Sequence, residues 1–228
     1  MYQRGYSYSD DNYANLHIGK NYKSFVFATS LLYYSSGEIE LFKSNGTKVT
    51  EVGKRDIIWT AGASRKFWMV PLGINLKLIS SELFGKKATA YAFDLGTQYK
   101  LSKPINLGLS ARNIGTKIKY IAEKENLPFI TQLGGNYTRT FDKYSLLVLD
   151  DIAYYKNEKE YFNIIGAELG YKEQLYLRAG YRINLSETKN QSFNLGLGII
   201  YKKYTIDYSS EFNQGLNIPH KVTLGYKF

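Results

Sequence analysis

His220-Lys221-Val222-Thr223-Leu224-Gly225-Tyr226-Lys227-Phe228 closes the chain, and its reading decides the fold. The stretch alternates strictly. Val222, Leu224, Tyr226 and Phe228 fall on one side; Lys221, Thr223, Gly225 and Lys227 fall on the other. Neighbours in a strand face opposite sides, so this is a ribbon with one apolar and one polar face. Two settings make such a ribbon. It is either an amphipathic edge strand of a soluble sheet, or a wall strand of a barrel whose apolar face meets lipid.

Working outward, almost no window shows helical spacing, and alternation recurs between clusters of Gly, Asn, Ser and charge. Strands are predicted over 12–19, 24–36, 55–66, 71–80, 88–101, 105–113, 128–139, 143–154, 160–171, 175–184, 191–201, 204–212 and 219–228. Several sort cleanly into two faces. In 175–183, Leu175, Leu177, Ala179, Tyr181 and Ile183 oppose Tyr176, Arg178, Gly180 and Arg182. In 193–201, Phe193, Leu195, Leu197, Ile199 and Tyr201 oppose Asn194, Gly196, Gly198 and Ile200. The stretch 24–36 is apolar on both faces, and 143–154 has no clear phase.

The connections carry a second signal. Short ones are expected near 20–23, 67–70, 102–104, 140–142, 172–174 and 202–203. Longer ones are expected near 37–54, 81–87, 114–127, 155–159, 185–190 and 213–218. Short and long alternate, as in an up-and-down membrane barrel with tight turns on one side and long loops on the other. A Greek-key sandwich has no reason to sort its loops so.

The expected fold is therefore all-β: one antiparallel up-and-down transmembrane β-barrel domain spanning residues 1–228. The predicted strands number about thirteen, an odd count that cannot close with every neighbour antiparallel. Residues 1–11 read as an outer loop, which implies an earlier strand outside this chain and about fourteen strands in a longer precursor. Met1-Tyr2-Gln3-Arg4-Gly5-Tyr6-Ser7 lacks the apolar centre of a signal peptide, which that precursor would supply.

Composition agrees with a barrel. No run reaches the ~18–20 apolar residues of a spanning helix. Mean hydropathy is −0.34, which a barrel tolerates because only alternate residues meet lipid. Tyr (22) and Gly (20) are abundant, Pro is scarce (4) and Cys is absent. The net charge of +10 is scattered, without a dense Lys/Arg block, so nucleic acid is not an expected partner. Tyr33, Tyr34, Trp59, Phe67, Trp68, Tyr99, Tyr137, Tyr144, Tyr154, Tyr155, Tyr201 and Tyr204 cluster at strand ends, where amphipathic rings suit the headgroup zone.

The polar side collects Lys77, Asp94, Lys100, Arg112, Glu168, Arg178, Arg182, Lys202, Asp207, Glu211, Lys221 and Lys227. Lys77, Asp94 and Arg112 sit on successive strands and are expected to form a cross-strand ladder. Glu168, Arg178 and Arg182 are expected to do the same on a later hairpin. Together with Asp207 and Glu211 they form the predicted lumen network, since a lumen must satisfy such groups internally or with water. Glycines on the same side, including Gly73, Gly96, Gly108, Gly180, Gly196 and Gly198, imply close approach of other groups.

Catalytic signatures are sparse. His17 and His220 have no metal-ligand spacing, no Cys joins them, and no phosphate loop or nucleophile elbow occurs. No enzyme activity and no cofactor are expected. Asn45-Gly46-Thr47 matches a glycosylation acceptor but reads as a loop turn.

Two resemblances follow from these residues. The ending Val222, Leu224, Tyr226, Phe228 resembles the C-terminal barrel-closing signal of bacterial outer-membrane proteins. The order Tyr33-Tyr34-Ser35-Ser36-Gly37-Glu38-Ile39, Gly73-Ile74-Asn75-Leu76-Lys77-Leu78-Ile79, Ala92-Phe93-Asp94-Leu95-Gly96, Leu107-Gly108-Leu109-Ser110-Ala111-Arg112-Asn113-Ile114-Gly115 and Leu177-Arg178-Ala179-Gly180-Tyr181-Arg182 resembles the PorV/PorQ family, from about residue 24 onward. That family is related in fold to the fourteen-stranded FadL barrels. Its N-terminal plug-like segment has no counterpart here. The resemblance implies a bacterial outer-membrane location, with outer-membrane lipid and the barrel-insertion machinery as partners. It further implies a role in type IX secretion or surface-protein handling, with secretion-system proteins as partners, or a FadL-like conduit for a hydrophobic solute. An outer-membrane lipid-modifying enzyme is a third reading.

Overall fold

The computed structural model describes residues 2–6, 11–42, 46–187, 191–213 and 218–228, the side chains of 2–6, 38, 39 and 41 excepted. The strands in chain order are β1 (Tyr2–Tyr6), β2 (Asn12–Tyr22), β3 (Phe25–Ser35), β4 (Glu38–Phe42), β5 (Lys48–Val52), β6 (Lys54–Phe67), β7 (Val70–Leu83), β8 (Lys86–Lys100) and β9 (Ile105–Gly115). They continue as β10 (Ile118–Lys119), β11 (Lys124–Glu125), β12 (Ile130–Phe141), β13 (Tyr144–Tyr155), β14 (Glu160–Tyr171), β15 (Leu175–Asn184), β16 (Ser192–Tyr201), β17 (Tyr204–Asn213) and β18 (His220–Tyr226).

Fourteen of them form a closed antiparallel barrel in the order β1-β18-β17-β16-β15-β14-β13-β12-β9-β8-β7-β6-β3-β2. The pairs β4–β5 and β10–β11 are small hairpins within the long connections.

Two expectations are corrected. The strand placed upstream of the chain lies within it. Tyr2–Tyr6 pairs on one side with β18 (Tyr2↔Leu224, Tyr6↔His220) and on the other with β2 (Tyr2↔Leu16, Tyr6↔Asn12). Five residues holding Arg4 and Gly5 give no alternation to read; what makes them a strand is the two open edges on either side. The second concerns 81–87, which is not a long loop. The sheet continues to Leu83 and resumes at Lys86, with Phe84 (φ 46°) and Gly85 (φ 72°) turning between. Positive φ at both central residues matches the twist of a two-residue hairpin.

The faces invert those of a soluble protein. Leu76, Leu133, Leu177 and Leu197 are 60, 59, 58 and 53% exposed, whereas Ala90 and Ala153 are 0 and 1%. Most large apolar side chains point away from the protein, and alanines are among the most buried residues of its inside. A sandwich would bury the former between its sheets, so the soluble-sheet reading is out. Register keeps the outward set together: Leu31↔Trp59↔Leu78↔Tyr91, and Leu169↔Leu177↔Leu197↔Tyr208. Val222, Leu224 and Tyr226 stand on the same outward face, opposite Tyr208, Ile206 and Tyr204.

Aromatic rings bound this belt. At the tight-turn end, Tyr204 lies tilted against Tyr226 (5.2 Å between centroids), and Tyr226 against Phe228 (6.3 Å). Tyr144 lies against Tyr171 (5.2 Å). Lys172, Lys202 and Lys203 reach over Tyr171, Tyr201 and Tyr226 there, as cations do at a headgroup surface. At the other end Tyr154 stacks on Tyr161 (4.6 Å). From Tyr144 to Tyr154 along β13, at about 3.4 Å per residue and ~40° of tilt, the belt is roughly 26 Å tall, the height of an outer-membrane barrel's apolar band. Two rings expected at the headgroups face inward instead. Tyr34 shares its register with Asp56, and Tyr155 lies against Phe162 and beneath Arg182.

The blurred phase of 143–154 also resolves. Leu147 and Leu149 face in, while Asp150 faces out, where Asn163 Nδ2 donates to its Oδ1 at 2.5 Å.

The belt makes a direct prediction. Leu197→Lys puts a cation near mid-belt and should cost about 2–4 kcal/mol. Asn194→Lys, three residues back on the same strand and facing Glu211 inside, should stay within about 1 kcal/mol of the parent. Urea unfolding in lipid vesicles measures both; equal losses would mean that lipid does not lie against Leu197.

Candidate functional site: the barrel lumen

Inward positions gather polar residues into two nodes and a hollow. The first node joins β7, β8 and β9. Lys77 Nζ lies 2.8 Å from Asp94 Oδ2 and donates to Asn113 Oδ1 at 2.8 Å. Asn113 backbone N–H donates to Asp94 Oδ1 at 2.9 Å. The local cause is a bulge: the β8–β9 register shifts between Phe93 and Leu95, and Asn113 takes φ 61°. Asn tolerates that left-handed conformation better than most residues. Lys77 and Asp94 thus pair as expected. Arg112 does not join them, because the bulge offsets it; its Nη2 donates to Gln132 Oε1 at 2.8 Å on β12 instead. Gln132 Nε2 in turn donates to Asp151 Oδ2 at 2.9 Å on β13.

The second node centres on Arg178. Its Nε lies 2.6 Å from Glu168 Oε2, and its Nη1 lies 2.6 Å from Asp207 Oδ1. Asp207 is two strands away, across β16, and Gly198 makes the reach possible. A Cβ there would come within 2.6 Å of Asp207 Oδ1 and 2.9 Å of Arg178 Nη1. Arg182 does not join this node; its guanidinium sits 3.9 Å from the Phe162 ring centroid. Glu211 makes no ion pair among the described residues.

The outer mouth holds a feature that the sequence reading missed. The connection between β9 and β12 folds inward. Ile118 and Leu127 are buried, 7 and 8% exposed, against Ile79, Ala88, Ala90 and Ala92 of the inner wall, with Ile58 and Tyr120 beside them. Tyr120 shares a hydrogen bond with Ser81 Oγ (2.7 Å), which also donates to Asp56. Asn113 Nδ2 donates to Pro128 O at 2.8 Å, and Asn157 Nδ2 to Leu127 O at 3.1 Å. The signal lay in Ala88-x-Ala90-x-Ala92: three small residues on one inward face leave room for another element.

Toward the tight-turn end the lumen opens into a hollow of ≈ 800 Å³. It is walled by β3, β6, β7, β8, β9, β12 and β13, with Asn75, Gln98, Asn106, Gln132 and Asn136 among its lining residues.

The histidines lie apart. His17 is on β2, in register with Ser30 of β3. His220 faces outward, its Nδ1 2.8 Å from Tyr208 OH and 2.9 Å from Ser210 Oγ. Among the described residues no group of three or more His, Cys, Asp or Glu could hold a metal ion. Asn45 of the Asn-Gly-Thr pattern lies outside the described residues.

No protein-family model matches the chain, and no curated protein matches it. Solved structures do. The Pseudomonas putida toluene transporter TodX matches with TM-score 0.70 and 14% identity, over 100% of this chain and 86% of TodX. The CymD monoaromatic hydrocarbon channel matches with TM-score 0.66 and 10% identity, over 100% and 87%. The likeness is one of fold: an outer-membrane β-barrel. Fold and lipid-facing belt together place the chain in the bacterial outer membrane.

Two measurements follow. Ala90→Leu fills the space under Ile118 and should release the inward loop, so that trypsin cuts at Lys117, Lys119 or Lys124 about tenfold faster in reconstituted vesicles; unchanged cleavage would mean that the loop does not depend on the alanine wall. Arg178→Met strands Glu168 and Asp207. Breaking a fully buried pair costs about 3–5 kcal/mol, but these side chains are 39, 26 and 24% exposed, so we expect roughly 1–3 kcal/mol. Refolding titrations at pH 7 read that loss.

Proposed function

We propose that this chain is a conduit for small solutes across the outer membrane. One observation carries the reading. A hollow of ≈ 800 Å³ lies open toward the tight-turn end, beneath a loop folded into the outer mouth. That is a chamber with a constriction above it. Charges around the chamber balance: Lys77 pairs with Asp94, and Arg112 and Asp151 hold opposite ends of the Gln132 amide. TodX, a toluene transporter, and CymD, a monoaromatic hydrocarbon channel, support a conduit as a use of this fold. Identities of 14 and 10% do not carry their cargo across.

A second reading, a role in type IX secretion or surface-protein handling, is supported by the ordered segments resembling PorV/PorQ, including Leu107–Gly115 and Leu177–Arg182. It is tested by deleting the gene in its own host; unimpaired display of surface proteins would defeat it.

For the conduit, the purified protein is reconstituted in liposomes and swelling in isosmotic arabinose is followed by light scattering. Swelling should exceed that of protein-free vesicles. It should rise severalfold when Thr116–Phe129 is replaced by a short Gly-Ser link, since the constriction is then gone. No swelling with either protein would overturn the reading.

A further inference from the structure

We infer that the hollow selects small, neutral, hydroxyl- or amide-bearing solutes, such as one or two sugar rings, over hydrocarbons and over free anions. The inference rests on the conduit reading and adds the class of solute. The volume of ≈ 800 Å³ falls within the range of small-molecule sites, about 300–1,000 Å³. The wall chemistry supplies the class.

Asn75, Gln98, Asn106, Gln132 and Asn136 line the hollow. Each side-chain amide carries two donors and an acceptor. Asn106 Nδ2 donates to Asn136 Oδ1 at 3.0 Å, which leaves Asn106 Oδ1 and Asn136 Nδ2 without a hydrogen bond among the described residues. Asn75 and Gln98 make no side-chain hydrogen bond among the described residues and are not sealed from the open space they line. Gly62 leaves room for the Asn75 amide on the wall: a Cβ there would stand 2.1 Å from its Oδ1. Donors and acceptors are therefore spread around the chamber and aimed at whatever fills it.

The charged lining residues are already spoken for. Asp94 is held by Lys77 and by the Asn113 backbone, and Arg112 and Asp151 are joined through Gln132. Arg112 makes no ion pair among the described residues, but Asp151 holds the other end of the same Gln132 amide and Lys77 offsets Asp94, so the four charges sum to zero and an anion drawn to Arg112 meets Asp151 beside it. A hydrocarbon would strip water from the amides and return nothing, and each unsatisfied group is costly. A hydroxyl-rich solute replaces those waters bond for bond, and Val26, Ala28 and Leu149 offer its C–H face a small apolar contact.

The test compares glucose with gluconate, nearly equal in size, in the liposome swelling assay with the full chain. Glucose should enter at least fivefold faster. Excess toluene should not slow it. The triple variant Asn75→Leu, Asn106→Leu, Asn136→Leu should lose most of the glucose flux while keeping small-ion conductance in planar bilayers. Heat-modifiable gel mobility reports whether that barrel has folded; if it has not, Asn136→Leu alone is measured for the same loss. Equal rates for glucose and gluconate, block by toluene, or undiminished glucose flux in the folded variant would each overturn the inference. Absence of flux for every solute would instead overturn the conduit reading beneath it.

Discussion

The structure depends on closure. In hydrocarbon, a backbone N–H or C=O without a partner costs several kcal/mol, and a sheet edge presents a row of them. Here the seam is sealed by β1, five residues bonded to β18 on one side and to β2 on the other. A strand that short would carry little weight in a soluble sheet. In a barrel it removes two exposed edges at once, and it makes the strand count even, so every neighbour is antiparallel. Propensity within Tyr2–Tyr6 matters less than the unpaired edges it finds.

Once closed, the wall separates two solvents at a spacing of one residue. Outward positions answer to acyl chains, which is why Leu76, Leu133 and Leu177 are more exposed than most charged residues inside. Inward positions must settle their charges within the protein or with water. Lys77 and Asp94 do so around the Asn113 bulge, and Arg178 bridges Glu168 and Asp207 over the bare backbone of Gly198. Where β8 turns only Ala88, Ala90 and Ala92 inward, the chain fills the gap with its own loop. Each inward feature is a local answer to the same demand: a lumen polar enough to be wet and paired enough to be stable.

These demands explain what could be read from residues alone. The faces of 175–183 and 193–201 were legible because a period of two needs no knowledge of partners. Lys77–Asp94 and Glu168–Arg178 were legible because each pair sits on strands consecutive in the sequence, which pair in an up-and-down sheet. Arg112 was misplaced because a bulge shifts register by one, and Asn113 gives no warning beyond its tolerance of positive φ. Asp207 lies two strands from Arg178, so their contact depends on Gly198, a residue whose contribution is an absence. The turn at Phe84-Gly85 was hidden by the flanking Ser80-Ser81-Glu82, which resemble a loop yet stand in register with β6 and β8. Ile118 and Leu127 looked like stray apolar residues in a connection, because the wall they pack on is distant in sequence.

The same period of two separates architecture from cargo. A barrel of this kind is held in its membrane by outward residues and by backbone pairing, and both can be kept while inward residues change freely. Likeness to TodX at 14% identity therefore says that two chains solved the same problem of lipid and closure. It does not say that they solved the same problem of transport. For the conduit proposed above, the selecting positions are Asn75, Asn106 and Asn136, and Gly62 leaves the space in which the Asn75 amide lies. A hydrocarbon path calls for inward apolar side chains that shed water readily. This wall holds amides that keep it. On physical grounds the lumen, not the fold, is where the identity of the solute is written.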